Sequence, residues 1–331
     1  MGPDPRFPGG EFGLIAELLA PLAAGSDWAL GLADDAALIQ PTEGRDLVVT
    51  KDVLVAGVHF PEDEAPDRVA RKLLRVNLSD LAAMGAVAKA YLLGLTLGPE
   101  IDHAWMQGFA GGLAEDQDEY GVVLIGGDTV ACRSGLVLSL TAIGEVPAGR
   151  AVRRSGAQDG DILLVTGTLG DAALGLRAIR GELAGLAAAD FDYLAGRYRL
   201  PRPRTRIAPR LIGLAHAAID VSDGLLADLG HICQASGLAA VVEEARLPLS
   251  AAARHVITGT DAGLDAVLAG GDDYELAIAV SPARITDIAD LAADSGLPIT
   301  EIGRFEAGEG VHVVDADGCR RQAVHEGYTH F

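Results

Sequence analysis

Residues 67–86 read DRVARKLLRVNLSDLAAMGA. Val69, Leu73, Val76 and Met84 recur at helical spacing, which predicts an amphipathic helix over roughly 66–84. At about 100° per residue, Asp80 lies in the middle of that apolar stripe. A carboxylate there is costly unless it meets a cation or a donor. The pattern leaves two readings: a metal ligand, or a buried pair with an arginine. On either side of this helix the chain carries short apolar runs bounded by Gly or Asp. Leu47–Thr50, Ala90–Leu97, Val122–Ile125 and Leu136–Ile143 predict strands. A second helix is expected over roughly 102–120, and another over 11–23, where Phe12, Ile15, Leu18, Leu19 and Leu22 hold helical spacing.

After Pro147 and Gly149 the pattern restarts. Ile162–Thr166 predicts a strand that runs through a glycine turn into a helix from about Asp171. Ala217–Asp220 predicts another, followed by a helix at 223–236. Further strands are expected at Ala239–Val242, Tyr274–Val280, Ile299–Gly303 and Val311–Val314, with a helix at 282–295. Segment 181–206 reads as an insertion or a loop carrying a helix. Strands and helices mixed on both sides of the join predict two α/β or α+β domains, 1–148 and 149–331.

Composition narrows the function. Twenty-six Lys and Arg oppose 47 Asp and Glu, a net charge of −21. Such a surface repels nucleic acid and anionic lipid, so neither is an expected partner. Hydrophobic residues make up 49% of the 331, enough to bury two cores. Cys132, Cys233 and Cys319 are distant and odd in number, which argues against a disulfide framework or a zinc site. No basic-then-apolar leader and no membrane-spanning run is evident, so a cytoplasmic location is expected.

The acidic residues recur where apolar strands end. Asp34 and Asp35 lie in GLADDAAL, Asp52 follows LVVTK, and Asp128 lies in IGGDT. Asp220 and Asp223 lie in AIDVSDGL, and Asp272 and Asp273 in GGDDYEL. Carboxylate oxygens suit Mg2+, which binds one or two of them together with water and phosphate. Singly, each is also an ordinary turn or N-cap residue. There is no GxxxxGK[ST] loop, and the lysines are Lys51, Lys72 and Lys89 alone. Arg150, Arg153 and Arg154 form the densest basic group beside a predicted strand, where one could clamp a phosphate.

Nine ordered segments carry a resemblance over nearly the whole chain: GLADDAAL, LVAGVHF, VNLSDLAAMGA, IGGDT, RRSGAQDGD, VTGTLGDAALGL, AIDVSDGLLADLGHI, GGDDYEL and IGRF. The sequence resembles the thiamine-monophosphate kinase family, within the superfamily that includes aminoimidazole ribonucleotide synthetase. The resemblance implies a two-domain α/β (α+β) fold whose N-terminal domains pair into a homodimer, with ATP and substrate in a cleft between domains. It implies ATP-dependent phosphorylation of thiamine monophosphate to thiamine diphosphate, by direct in-line transfer assisted by several Mg2+ ions. Asp35, Thr50, Asp52, Asp80, Asp128, Asp220 and Asp223 are the implied metal ligands. Gly127, Asp128, Arg154 and Ser222 are the implied ATP contacts. His59, Asp272 and Tyr328 are the implied substrate contacts.

Three positions depart from the family pattern. Ala33 stands where a glycine is usual, Lys51 where a metal-binding threonine is common, and Asp272 where a glutamate is usual. Other superfamily chemistries are disfavoured. Selenophosphate synthesis lacks its N-terminal cysteine, and the hydrogenase-maturation dehydratase reaction lacks its terminal cysteine. A non-catalytic nucleotide- or metal-binding regulator would not need so many carboxylates.

Overall fold

The computed structural model describes residues 6–7, 9–257, 261–315 and 317–322. The chain divides into two compact units, Met1–Leu81 with Ala86–Gly149, and Ala82–Gly85 with Arg150–Phe331.

The first unit carries strands β1 (Arg45–Val55), β2 (Val87–Leu97), β3 (Val123–Ala131) and β4 (Val137–Pro147) in the order β1-β4-β2-β3. β4 pairs antiparallel with β1 and β2, whereas β2 and β3 are parallel. Helices α1 (Gly10–Leu14), α2 (Pro66–Ala83) and α3 (His103–Tyr120) complete it. The two sheet faces differ. Val48 and Leu54 of β1, Leu138 and Leu140 of β4 and Leu93 and Leu95 of β2 are buried. The alternate residues Val49 and Val53 of β1 are 59% and 44% exposed. That is the two-residue period of a sheet buried on one side.

The expected helix over 11–23 is three pieces: α1, a π turn at Ile15–Leu19 and a 3-10 turn at Ala20–Ala23. Pro21, with no N–H to donate, ends the regular pitch. α3 starts on Asp102, whose carboxylate accepts the Trp105 N–H at 2.8 Å, and stops at Gly121 in the left-handed region. It is tied to α2 by a buried ion cluster. Asp116 accepts from Arg75 at 2.7 and 2.8 Å and from Arg71 at 2.9 Å.

The second unit is built on a seven-stranded mixed sheet in the order β11-β10-β7-β9-β5-β8-β6. These are β5 (Ile162–Thr166), β6 (Ala217–Asp220), β7 (Ala239–Glu243), β8 (Leu276–Val280), β9 (Ile299–Glu306), β10 (Gly310–Val314) and β11 (Arg320–Gln322). Only β7 and β10 are parallel neighbours. Its helices are α4 (Asp171–Ile179), α5 (Ala188–Arg199), α6 (Ala208–Leu211), α7 (Leu225–Ser236), α8 (Ala251–Ile257), α9 (Asp261–Leu268) and α10 (Ile285–Ser295). β8 is wholly buried, which fits its unbroken apolar run LAIAV. Apolar clusters cover both faces of this sheet. No helix among the described residues is long and apolar enough to cross a membrane.

Candidate active site

In the first unit the expected ligands divide between the two faces of the sheet. Thr50 and Asp52 share the face of β1 that looks onto α2. Thr50 Oγ1 donates to Asp80 Oδ2 at 2.6 Å, and the Asp52 backbone N–H donates to Asn77 Oδ1 at 3.1 Å. Asp80 is half-buried between two runs, Lys72–Ser79 and Leu81–Ala83, that are buried throughout. Its carboxylate is less enclosed than its neighbours and meets the Thr50 hydroxyl. Helical periodicity could not show this, because it fixes direction about the axis but not how far the neighbouring strand extends.

The opposite face holds a cavity of about 580 Å³ whose lining includes Asp34, Asp35, Lys51, Gly127, Asp128 and Ser139. Lys51 Nζ donates to Ser139 Oγ across the β1–β4 pair. One side of the cavity is apolar, with Leu19, Leu32, Ile39 and Ile125. Gly127 is dictated by strand pairing: a Cβ there would lie 2.0 Å from the Leu93 carbonyl oxygen. Ala33 sits at φ −105°, where no glycine is needed. The left-handed backbone falls on its neighbours Leu30 and Leu32 instead, at φ 48° and 55°. Strain of this kind beside Asp34 and Asp35 is typical of a functional loop.

His59 closes a tight turn after β1. Its Nδ1 accepts the Val55 N–H at 3.0 Å, so the neutral ring carries its proton on Nε2.

In the second unit, two loops meet at one end of the sheet. The Asp272 N–H donates to the Ser222 carbonyl and the Tyr274 N–H to the Val221 carbonyl, both at 2.8 Å. This brings Ser222 and Asp223 against Asp272, beside Asp220 at the end of β6. Asp272 and Tyr274 take left-handed φ values of 69° and 52°, and the Tyr274 hydroxyl donates to Asp272 Oδ1 at 3.2 Å. Gly271 has no room for a side chain, because a Cβ would lie 2.3 Å from the Ser222 oxygen.

Two residues outside the expected set hold these loops. Asp228 Oδ2 accepts the N–H groups of Ser222, Asp223 and Gly224 at 3.0, 3.1 and 3.1 Å. Burial, reinforced by the Asp223 charge, pushes its carboxyl up to about 7 against the pull of those three donors. Asp273 accepts the Gly170 and Ala172 N–H groups at 2.5 and 3.1 Å and so caps α4 from a distant part of the chain. Burial raises it to about 7 as well. The signal for Asp228 was present in AIDVSDGLLAD: an Asp one turn into the helix can reach back to the N–H groups of the loop before it.

The Arg154 backbone is held at the opposite end of α7 from Ser222. Its carbonyl accepts from Ser236 Oγ at the last residue of α7, whereas Ser222 precedes the first. Twelve helical residues separate those ends by roughly 18 Å. Tyr328 lies outside the described residues.

Oxygen donors of this type suit Mg2+, and the hydroxyl and carboxylate of Thr50 and Asp80 already meet in one place. Among the described residues no three His, Cys, Asp or Glu side chains form a preformed cage. A Mg2+ bound through one or two carboxylates and completed by water and phosphate does not require one.

A paired-unit fold with carboxylates at its strand ends and glycine-tight loops defines an AIR synthase related protein. The N-terminal domain of that class matches residues 33–146 and the C-terminal domain residues 158–316. Within it, the chain belongs to the thiamine-monophosphate kinase family. It is 46% identical to the thiamine-monophosphate kinase of Caulobacter vibrioides over 304 residues, 91% of this chain and 85% of that protein. The structure of thiamine-monophosphate kinase from Stenotrophomonas maltophilia K279a superposes with a TM-score of 0.83 at 46% identity, covering 93% of this chain and 96% of that one. AaThiL complexed with AMPPCP and TMP superposes with a TM-score of 0.78 at 32% identity, covering 97% of each chain.

Proposed function

We propose that the protein transfers the γ-phosphoryl group of ATP to thiamine monophosphate, giving thiamine diphosphate by direct in-line attack of the acceptor phosphate. The observation that carries this reading is the first-unit cavity. It joins an apolar wall, suited to an adenine, to Asp35, Asp128 and Lys51 at its polar end. Likeness to AaThiL complexed with an ATP analogue and TMP supports both ligands.

A phosphate monoester with its second pKa near 6 is ionised at neutral pH and needs no general base. The obstacle is repulsion between two polyanions. Asp35 and Asp128, and separately Thr50, Asp52 and Asp80, would hold Mg2+, which when bound would supply positive charge against the phosphates. Lys51 adds a fixed positive charge at the nucleotide end. In the second unit Asp220 and Asp223 are the candidate metal ligands and Ser222 the candidate nucleotide contact. His59 and Asp272 orient the acceptor, Asp272 offering a carboxylate to a cationic thiazolium.

The open face of β1, with Leu47, Val49 and Val53 exposed in alternation, supports pairing of two first units into a homodimer, and multi-angle light scattering tests it. A cytoplasmic location follows from the same reading. The activity is tested by following ADP release with thiamine monophosphate and with free thiamine. Turnover is expected with the monophosphate alone, since free thiamine lacks the attacking oxygen. Efficient phosphorylation of free thiamine would remove the acceptor assignment.

A further inference from the structure

The second unit holds another cavity, of about 410 Å³, lined by none of the residues assigned above. In a chain of net charge −21 its wall is basic. Arg197, Arg202, Arg204 and Arg206 line it against a single carboxylate, Glu275. That carboxylate is fully buried and already shared. It accepts from Arg197 at 2.9 Å, from Arg204 Nε at 2.6 Å and from Thr166 Oγ1 at 2.6 Å. The nearby acids Asp171 and Asp273 are committed elsewhere. Asp171 accepts from Ser250, Thr168 and Tyr193, and Asp273 from the backbone at the start of α4.

Donors are therefore in excess. The Arg197 side chain is 4% exposed, and its Nε makes no hydrogen bond; an Asp171 oxygen stands 3.9 Å away, beyond hydrogen-bond range. A buried N–H left in this state is costly, and Arg197 adds its charge to the cavity wall. Arg202 and Arg206 are exposed and have no ion-pair partner among the described residues. Gly167 lets the loop after β5 approach, since a Cβ there would fall 2.2 Å from Glu275 Oε1.

Guanidinium forks match phosphate oxygens in geometry as well as charge. The volume lies within the roughly 300–1,000 Å³ of small-molecule sites, more than a lone inorganic phosphate fills. We propose that this cavity binds a small phosphorylated anion, of pyrophosphate size or larger, directly through arginines and without a metal ion. The site stands apart from the kinase reading and does not depend on it.

The test is titration calorimetry in low-salt buffer with EDTA, using inorganic pyrophosphate and AMP as probes. The wild-type protein is compared with an Arg202→Ala/Arg206→Ala double variant. Both substitutions are at exposed positions and leave the Arg197–Glu275–Arg204 pairs in place. At least one probe is expected to bind the wild type, and the double variant to lose about tenfold or more in affinity. Preference for pyrophosphate would mark an inorganic or diphosphate ligand, and preference for AMP an organic monophosphate. The double variant, assayed without added pyrophosphate or AMP, is expected to keep its phosphoryl-transfer rate. Absence of binding by both probes, or binding that the double variant retains in full, would overturn the proposal. Circular dichroism of the double variant confirms that the comparison is between folded proteins.

Discussion

Lys51 and Asp272 stand where the family resemblance leads one to expect Thr and Glu, and the structure gives each a physical setting. Thr50 and Asp52 point toward α2, where Thr50 meets Asp80. Strand alternation turns Lys51 to the other face, into the cavity with Asp35 and Asp128. On the proposed reading, an ammonium there would neutralise phosphate charge that a metal would otherwise carry. Lys51→Thr is therefore expected to stay active but to need more Mg2+, with a half-saturating concentration raised by about threefold to tenfold, roughly 1 kcal/mol of lost attraction in a hydrated cavity. Identical Mg2+ titrations for the two forms would place Lys51 outside the reaction. Asp272 sits at φ 69°, a conformation Asp tolerates better than Ala and Gly better than either. Both Asp272→Ala and Asp272→Gly remove the carboxylate, but only the first adds strain. Each is expected to raise KM for thiamine monophosphate by roughly tenfold, with a smaller effect on KM for ATP. If only the Ala variant is impaired, the loop conformation matters and the carboxylate does not.

At the scale of elements, positioning is done by buried charge as much as by apolar packing. α2 carries Asp80 and Asn77 to β1, and its own place is fixed by Arg75 and Arg71 on Asp116 of α3. Asp116 is fully buried and Arg75 only 5% exposed, so removing the carboxylate strands a guanidinium in the core. Asp116→Ala is expected to cost about 3–5 kcal/mol, seen in urea unfolding as a lower midpoint at unchanged slope. A loss below about 1 kcal/mol would mean that Glu115 and Glu119 take over the pairing. These elements were unequally legible in the sequence. β5 and β6 could be read to the residue because ILLVT and AAID are apolar runs with turn residues directly after them. β1 continues to Val55, beyond the expected Thr50, because Lys51 and Asp52 interrupt the apolar run while still alternating between faces. α8 and α9 were not anticipated. Each is under nine residues, too short for one turn of apolar spacing to distinguish a helix from a loop. Motif spacing placed Ser222 and Asp272 on loops but could not show that two backbone hydrogen bonds join them. Nor could it show that Arg154 is anchored at the far end of α7, since both depend on pairings between strands distant in sequence.

Across the whole molecule, the net charge of −21 and the buried acids both make stability fall as pH rises. Asp228 and Asp273 are buried acids pushed up to about 7. A group whose pKa rises on folding binds its proton more tightly in the native state. Its contribution is complete below the unfolded value, about 3.9 for Asp, and is lost as pH rises through the folded value. For Asp273 the window runs from about pH 4 to about pH 7, and the loss across it is on the order of 4 kcal/mol, at 1.36 kcal/mol per unit. Asparagine keeps one acceptor oxygen for the α4 N-terminus but cannot ionise. Asp273→Asn is thus expected to be less stable than the wild type at pH 4–5, where it loses one of the two bonds to Gly170 and Ala172. The gap closes as pH climbs and then reverses, because the loss of about 4 kcal/mol exceeds the roughly 1–3 kcal/mol of one missing bond, and it levels off above about pH 8. Because every other titrating group is common to both proteins, the difference between their melting temperatures isolates this residue. Scanning calorimetry of the two forms at half-unit intervals from pH 4.5 to 9 makes the comparison. A difference independent of pH would mean that Asp273 is ionised throughout, its burial offset by Arg197 and the two backbone donors.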